Sequence, residues 1–273
     1  MVRLRLPLTP SEIEVPMRNF KLIIEYEGTN YRGWQAQNSK LQIANCKSQT
    51  RTIQGEIEKA LVKLFGKEIR ILGSGRTDAG VHALGQVANF RCGTHLKPQN
   101  IRNALNNFLP CDIRILQVNE VAENFHARFS AKSKTYRYLI LNRKTNSVFY
   151  RRLSWWIPYE LDFCAMRRAA KIFLGRHNFK AFTAADKKRK SDNFVRTVKR
   201  ISLKKYRDFI VLDIEADGFL YNMVRNIVGT IVDVGRGKFT PENVKCILAS
   251  ADRKLAGPSA PATGLFLSKV KYS

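Results

Sequence analysis

Strand-forming segments outnumber helical segments along this sequence, and short loops separate neighbouring strands. FKLIIEYEG at 20–28, GQVANFR at 85–91 and TYRYLIL at 135–141 are rich in β-branched and aromatic residues. Short loops suit antiparallel neighbours, because parallel strands need a long crossover connection. The sequence therefore predicts an α+β fold with largely antiparallel sheets.

Helical periodicity and capping residues predict helices between the strands. Thr52 is a predicted N-cap, and Gly66 stops the apolar repeat that follows it. Proline opens two further helices, at Pro98 and at Pro241 after Thr240. The other predicted elements are helices at 161–174 and 219–234 and strands at 68–72, 112–121, 194–205, 208–215 and 264–272.

The chain has 273 residues, enough for one large domain or two modest ones. Each half runs through strands and two helices, which predicts two related lobes, at 19–125 and 126–273. Residues 1–18 read as a flexible tail. Residues 28–52 are polar and unusually long for a connection in a compact domain, which favours a functional or mobile loop.

Charge is the strongest compositional signal. Lys and Arg number 48 against 22 Asp and Glu, which leaves a net charge of +26. A surplus of this size attracts large anions, and nucleic acid is the commonest of these in a cell. We expect a nucleic-acid partner ahead of an acidic protein or a membrane.

The cysteines and the apolar runs indicate the compartment. The five cysteines are scattered without a C-x-x-C pair, which argues against a thiolate zinc site and a disulfide framework. No run approaches the ~18 apolar residues of a membrane span, and the N-terminus lacks a secretory pattern. We expect a cytoplasmic protein that makes no membrane contact, although a short transit peptide is an open alternative.

Residues 73–90, GSGRTDAGVHALGQVANF, place one carboxylate in a glycine-rich loop between two predicted strands. The glycines remove side chains where a substrate must approach the backbone. An arginine such as Arg76 near Asp78 would lower the pKa of the carboxyl group and keep it ionised as a nucleophile, base or ligand. An Asx-turn made by Asp78 explains the residue about equally well. His82 fits a hydrogen-bonding loop residue better than a metal ligand.

Tyr136 and Arg225 each have a structural and a functional interpretation. Tyr136 shares one strand face with Tyr138 and Ile140, as a packed aromatic would, but its ring also suits stacking on an extruded base. Arg225 lies off the centre of an apolar helical arc. It either reaches water with its head group or pairs with an anion, because unpaired burial of a cation is costly.

Together these motifs resemble a known family. GRTDAGVHA, HARFSAKSKTYRY and FLYNMVRNIVG, in this order, are similar to the TruA-type tRNA pseudouridine synthases. YEGTNYRGWQAQ, the TIQ at 52–54 and the GLFL at 264–267 resemble the same family. The similarity runs from about residue 20 to the end of the chain. Each motif alone is moderately specific, whereas the ordered set is highly specific.

The resemblance assigns roles to individual residues. Asp78 matches the catalytic nucleophile, and Arg225 matches the arginine that pairs with it. Tyr136 matches the tyrosine that packs against the target base, with proton removal at C5 as a further role. Arg76 matches an arginine that contacts RNA and helps to displace the base. Further substrate contacts are expected from the same motifs at Gly75, Thr77, His82, Arg128 and Tyr138.

The resemblance also implies an architecture and a substrate. It implies two α+β lobes whose sheets join across a basic cleft, with helices on the outer face, in a homodimer. The implied substrate is tRNA at uridines 38 to 40 of the anticodon stem-loop, and no metal or organic cofactor is implied. This chain departs from the family in a longer polar stretch at 36–51 and in the tail at 1–18.

Two other functions compete with this one. A metal-dependent RNA hydrolase could use Asp78 and His82, but the sequence lacks the clustered carboxylates of two-metal chemistry. A non-catalytic RNA-binding module would also be basic and rich in aromatics. Such a module has no reason to place a carboxylate in a loop that faces RNA, so Asp78 discriminates between the two.

Overall fold

The structure, a computed structural model, describes residues 15–35, 51–184 and 193–272. Nearly all of the predicted loop at 36–51 and most of the predicted tail lie outside these ranges. The first strand begins at Met17, so Met17 and Arg18 belong to the sheet and the tail prediction is wrong for these two residues. Arg18 is tied there by an ion pair to Glu120 of a neighbouring strand, with Nη2 and Oε2 2.6 Å apart.

Ten strands and five α-helices are found in the described ranges. The strands are β1 Met17–Tyr26, β2 Leu72–Gly73, β3 His82–Gly93, β4 Ile113–Val121, β5 Ser133–Asn142, β6 Trp155–Ile157, β7 Gly175–Asn178, β8 Val195–Tyr206, β9 Phe209–Ala216 and β10 Leu265–Lys271. The helices are α1 Ile53–Phe65, α2 Pro98–Phe108, α3 Phe163–Ile172, α4 Met223–Gly235 and α5 Pro241–Ser250. The predicted mixture of α and β elements is confirmed.

The strands form one largely antiparallel sheet in the order β4-β1-β3-β10-β5-β9-β8-β7, with β2 on β3 and β6 on β5. β10, the last strand of the chain, joins the strands of the two halves. It runs parallel to β3, where Leu267 pairs with Ala83, and antiparallel to β5, where Leu267 pairs with Tyr136. The start of β3 and Tyr136 therefore lie on either side of one short strand.

Local capping signals account for the helices that were predicted best. The Thr52 side chain accepts a hydrogen bond from the Gly55 N–H, and Gly66 ends α1 in the left-handed conformation with φ of 69°. Thr240 and Asn243 form a reciprocal capping box at the start of α5. These contacts satisfy backbone groups that a helix end leaves free.

Several element boundaries differ from the prediction. α4 begins at Met223 rather than 219, because Asn222 adopts a left-handed backbone with φ of 57° that no α-helix accommodates. Arg225 consequently lies in the first turn of α4 and not in its middle. β3 begins at His82 rather than 85, and Gly175, predicted to end a helix, starts the unpredicted strand β7.

Two hydrophobic cores fill the molecule, one under each half of the sheet. The first is built mainly on β1, β3, α1 and α2, with Leu267 of β10. The second is built mainly on β5, β9, α3, α4 and α5, with Leu265 of β10. Tyr136 packs against both cores. Within the described ranges, no helix is long and apolar enough to cross a membrane.

Candidate active site

The Asp78 loop connects β2 to β3 and is held against the segment that follows β1. The Trp34 N–H donates to the Thr77 carbonyl at 3.1 Å, and the Gly80 N–H donates to the Tyr31 carbonyl at 3.4 Å. The Thr77 hydroxyl shares a hydrogen bond with the Tyr26 hydroxyl at 2.8 Å, and both groups are buried. The loop is thus fixed from behind by the YEGTNYRGWQ segment, which explains why the two motifs occur together.

Gly33 allows the closest of these approaches. Its backbone has a φ of 86°, and a Cβ there would overlap the Thr77 carbonyl oxygen and lie 3.0 Å from the Asp78 carbonyl carbon. Any side chain at this position would push the Asp78 loop away. Gly66 also has a positive φ, of 69°, but a Cβ there would meet nothing within 4 Å.

We expect Gly33→Ala to lower activity and stability together, whereas Gly66→Ala lowers stability alone. The strained backbone should cost about 1 kcal/mol at either position. The overlap at Gly33 should add about 1–3 kcal/mol and displace Asp78, with a fall in kcat. Urea unfolding and steady-state kinetics of both variants measure the difference. Equal kcat values for the two variants would show that the contact does not position Asp78.

Asp78 and Arg225 form an ion pair, with Nη1 and Oδ2 3.9 Å apart. Both side chains are mostly buried, 26% exposed for Asp78 and 19% for Arg225. Burial raises the pKa of the Asp78 carboxyl group above its usual value, and the Arg225 charge only partly offsets this. The expectation that a neighbouring arginine leaves this pKa lowered is wrong, because desolvation outweighs the attraction.

Arg225 is held in place by its own contacts at the start of α4. Its Nε donates to the Ala260 carbonyl at 2.7 Å and its Nη1 donates to Asn222 Oδ1 at 3.2 Å. The left-handed backbone at Asn222 turns this side chain toward the guanidinium. The Val81 N–H donates to the backbone carbonyl of Asp78 at 3.1 Å. Among the described residues no backbone N–H donates to the Asp78 carboxylate, so the Asx-turn alternative is not observed.

Tyr136 forms part of the wall of the same pocket. Its ring packs edge-to-face on Phe219, with centroids 5.0 Å apart and planes at 86°. Burial, with the nearby Tyr26 and Asp78, raises the pKa of its hydroxyl well above the usual value. The phenol is therefore protonated throughout the physiological range.

Asp78, Tyr136 and Arg225 line a pocket of about 680 Å³. Among the described residues that line it, Asp78 is the single carboxylate. Five cations line it as well: Arg70, Arg76, Arg128, Lys134 and Arg225. The volume suits a nucleotide-sized ligand, and the charges favour an anionic one.

The structure places four other predicted substrate residues at this pocket. Gly75 and Thr77 line it through the Asp78 loop. Arg76 is exposed on the loop, and its Nε donates to Gln35 Oε1 at 2.9 Å. Arg128 is exposed on the turn before β5, and its guanidinium carbon lies 5.6 Å from the centre of the Phe129 ring.

His82 and Tyr138 are corrected as substrate contacts, because both are fully buried and neither lines the pocket. His82 Nδ1 accepts from the Gly28 N–H at 3.0 Å, so Nε2 carries the proton and donates to the Thr263 carbonyl at 3.1 Å. Burial lowers the pKa of His82, which agrees with a neutral ring. The Tyr138 hydroxyl donates to the Pro261 carbonyl at 2.8 Å. Both residues support the site from within the core.

Several lining residues were missed by the sequence analysis. Lys134 shares a strand face with Tyr136 two residues away, so strand alternation was a signal for it. Phe129, 76% exposed beside Arg128, had no local signal for its position. Trp34 and Phe219 were visible only as parts of motifs. Within the described ranges, no group of three or more His, Cys, Asp or Glu side chains is arranged to hold a metal ion.

Comparisons with known proteins agree with this geometry. A family model described as tRNA pseudouridine synthase matches residues 22–130 and 169–273. The tRNA pseudouridine synthase A of Thermoanaerobacter sp. strain X514 is 45% identical over 256 residues, 94% of this chain and 100% of that protein. The tRNA pseudouridine synthase A 2 of Clostridium perfringens strain 13 is 47% identical over 256 residues, with the same coverage of both chains.

One chain in a solved structure of a Cbf5-Nop10-Gar1 complex can be aligned with this one, and the alignment covers 96% of this chain and 60% of the chain in the complex. Its sequence identity is 11% and its TM-score is 0.33, too low to carry an argument about this protein.

Proposed function

The chain belongs to the tRNA pseudouridine synthase family, and from this premise we propose that it isomerises uridines 38 to 40 of the tRNA anticodon stem-loop, with Asp78 as the nucleophile. The observation that carries the proposal is the isolated carboxylate of Asp78. It is paired with Arg225 in a pocket whose other charged lining residues, among those described, are Lys and Arg. A pocket that only bound RNA would gain nothing from this charge, because phosphate would be repelled by it.

The reaction requires the bond between base and ribose to move from N1 to C5 of the uracil. The N1–C1′ bond of uridine is lost, the base turns, C5 bonds to C1′, and the proton from C5 leaves while N1 gains one. Asp78 attacks either C6 of the base or C1′ of the ribose as a carboxylate, and it is released at the end. Arg225 stabilises the ionised form that can attack.

Tyr136 supports the base rather than removing its proton. Removal of a proton from C5 by this residue would require a tyrosinate, and the raised pKa of Tyr136 opposes that form. The ring of the neutral Tyr136 side chain, held edge-to-face by Phe219, offers an apolar wall for uracil. We therefore favour packing as its role, one of the two that the family resemblance allows.

The burial of Asp78 supports base flipping. A uridine stacked in a stem cannot bring C6 or C1′ to a carboxylate that lies inside a pocket, so the nucleotide must leave the stack. Unstacking costs a few kcal/mol, which phosphate contacts with the surplus cations offset. We propose that Arg76, which is exposed and lines the pocket, occupies the space that the base leaves.

We also propose the larger arrangement that the family resemblance implies. The two hydrophobic cores and the joining position of β10 support two lobes that divide between residues 125 and 126, around a basic cleft with helices outside; the first lobe includes Met17 and Arg18 of β1. The enzyme would act on tRNA as a cytoplasmic homodimer. Size-exclusion chromatography with light scattering would test the dimer, and a monomer that retains full activity would refute it.

The direct test uses unmodified tRNA transcripts, purified protein and a chelator, with pseudouridine then mapped by position. We expect pseudouridine at one or more of positions 38 to 40 and none in transcripts that carry cytidine at all three. Pseudouridine at other positions would overturn the assigned site. Tight binding without any pseudouridine would overturn Asp78 as nucleophile on this substrate.

A further inference from the structure

One turn and one lysine of the pocket wall are not used by the proposed chemistry. The turn spans residues 126–129 before β5. Its centre, Ala127, is fully buried, donates its N–H to Asn89 Oδ1 at 2.9 Å and accepts from the Tyr272 hydroxyl at 2.7 Å. The His126 ring nitrogen Nδ1 accepts from the Arg128 N–H at 3.1 Å. The turn is therefore firmly attached to the body of the protein.

Phe129 stands out of this turn toward the pocket. The residue is 76% exposed, and its ring lies against the His126 ring, with centroids 4.4 Å apart and planes at 41°. An exposed phenyl group on a well-anchored turn leaves apolar area in water at a free-energy cost. Every nucleobase offers a flat face that stacks on such a ring, and aromatic residues beside single-stranded RNA commonly serve this purpose.

Lys134 lines the same pocket as Arg128 and Phe129. Its Nζ donates to the Ser74 carbonyl at 2.6 Å and lies close to Gly75, where a Cβ would be 2.8 Å away. Burial, with the nearby Arg128 charge, lowers the pKa of this lysine to about 8. Two neighbouring cations in one pocket wall attract an anion, and an RNA phosphate is the anion that this substrate supplies.

We propose that Phe129, Arg128 and Lys134 form a subsite for the nucleotide next to the target uridine, with its base stacked on Phe129 and its phosphate between Arg128 and Lys134. This inference rests on the proposed function, since it assumes that RNA with a flipped uridine enters the pocket. It adds a place for a second nucleotide outside the catalytic set. The subsite would hold the strand in register while the uridine reaches Asp78.

Stacking on Phe129 is tested by combining a protein variant with a substrate change. Removing the base of one neighbouring nucleotide, 5′ or 3′ of the target in turn, should weaken binding to the wild-type protein about 10-fold on one side. The same abasic substrate should bind Phe129→Ala no more weakly than the intact substrate does, because the stacking partner is already gone. Phe129→Trp should again bind the abasic substrate more weakly than the intact substrate.

Phe149 provides the matched control for this test. It is 83% exposed, like Phe129, but it does not line the pocket. Phe149→Ala should respond to the abasic substrates as the wild-type protein does. If Phe129→Ala loses the same affinity as wild type for the 5′ abasic and for the 3′ abasic substrate, the stacking proposal is overturned. Because both phenyl rings are exposed, neither substitution removes part of a core.

The phosphate contact is tested at Lys134 by salt dependence. Lys134→Gln keeps a donor for the Ser74 carbonyl but loses the charge, so a loop-supporting role would survive it. With a phosphate contact, the slope of log binding constant against log salt should fall by about 0.7 to 0.9 in Lys134→Gln and stay unchanged in Lys134→Arg. An unchanged slope in Lys134→Gln would overturn the phosphate contact.

The pH dependence of binding gives a second measure. A lysine with a pKa of about 8 loses its charge as the pH rises, so wild-type affinity should fall between pH 7 and 9, while Lys134→Arg should hold its affinity. Other charged or titratable groups of the pocket wall are shared by both proteins and cancel in the comparison: Arg70, Arg76, Asp78, His126, Tyr136 and Arg225. Equal pH profiles would contradict the proposal.

The subsite and the proposed function fail in different ways. Suppose that the wild-type protein makes pseudouridine at positions 38 to 40, that Phe129→Ala responds to the abasic substrates like wild type, and that Lys134→Gln keeps the wild-type salt dependence of binding. The subsite is then wrong and the proposed function stands. If the wild-type protein makes no pseudouridine, the proposed function is wrong, and coupling at Phe129 would then describe RNA binding alone.

Discussion

Asp78→Asn should abolish pseudouridine formation, with a fall of more than about 10⁴-fold in kcat, and leave tRNA binding within a few-fold of wild type. An amide has the shape of the carboxylic acid but cannot add to carbon as a nucleophile. Single-turnover assays with mapped tRNA transcripts and a filter-binding titration measure the two quantities. Any turnover above the background of a protein-free control would refute the nucleophile assignment.

The same substitution should not destabilise the protein at neutral pH, which is an unusual expectation for a half-buried charged residue. The raised pKa of Asp78 means that the folded protein binds this proton more tightly than the unfolded chain does. The ionised carboxylate therefore lowers stability above the folded-state pKa. Asparagine should give an equal or higher melting temperature at pH 7, and the advantage should shrink as the pH falls toward the ordinary aspartate pKa.

Asp233 is the control for this stability effect. Its carboxylate is more deeply buried than that of Asp78, but it lies outside the pocket and is paired with Lys238, with Oδ2 and Nζ 3.2 Å apart, and with Arg236. Asp233→Asn should lower the melting temperature and retain turnover. The two substitutions are thus expected to have opposite effects on stability and on activity. A lower melting temperature for Asp78→Asn than for wild type at pH 7 would contradict the inferred cost of its charge.

The elements that were predicted from sequence are those with local signals. The helices that begin after Thr52 and Thr240 are capped by their own side chains, so a few neighbouring residues determine where they start. β6 and β7 are three and four residues long and exist because longer strands pair with them. The start of α4 was misplaced because the apolar repeat continues through Phe219, while the left-handed backbone at Asn222 leaves no mark on the spacing of apolar residues.

The same distinction applies to the site. The family resemblance pointed to Asp78, Tyr136 and Arg225, and the structure brings them to one pocket from three distant parts of the chain. The burial of His82 could not be predicted, because it depends on β10, whose Phe266 ring lies 4.7 Å from the imidazole. A residue near Asp78 in sequence is therefore not necessarily accessible from the pocket.

Arg225→Ala should reduce kcat/KM by about 10²–10³-fold and destabilise the protein by about 1–3 kcal/mol. The Ala260 carbonyl and Asn222 Oδ1 lose their donor, and Asp78 loses the charge that partly offsets its burial. The pKa of Asp78 should rise further. Because the ionised form attacks, activity is lost as the pH falls through this pKa, so the acidic limb of the pH–rate profile should move to higher pH in the variant.

Arg253→Ala separates this effect from a general loss of contacts around α4. Arg253 donates to Asn226 Oδ1 at 3.1 Å and to the Ala256 carbonyl at 3.2 Å, contacts similar to those of Arg225, but it does not line the pocket. Its removal should lower stability and leave the acidic limb in place. Arg225→Ala should also cost less stability in an Asp78→Asn background than in wild type, because the neutral amide needs no counter-charge. Equal costs in the two backgrounds, together with an unmoved acidic limb, would mean that Arg225 supports the start of α4 and that the 3.9 Å ion pair has no part in setting the charge of Asp78.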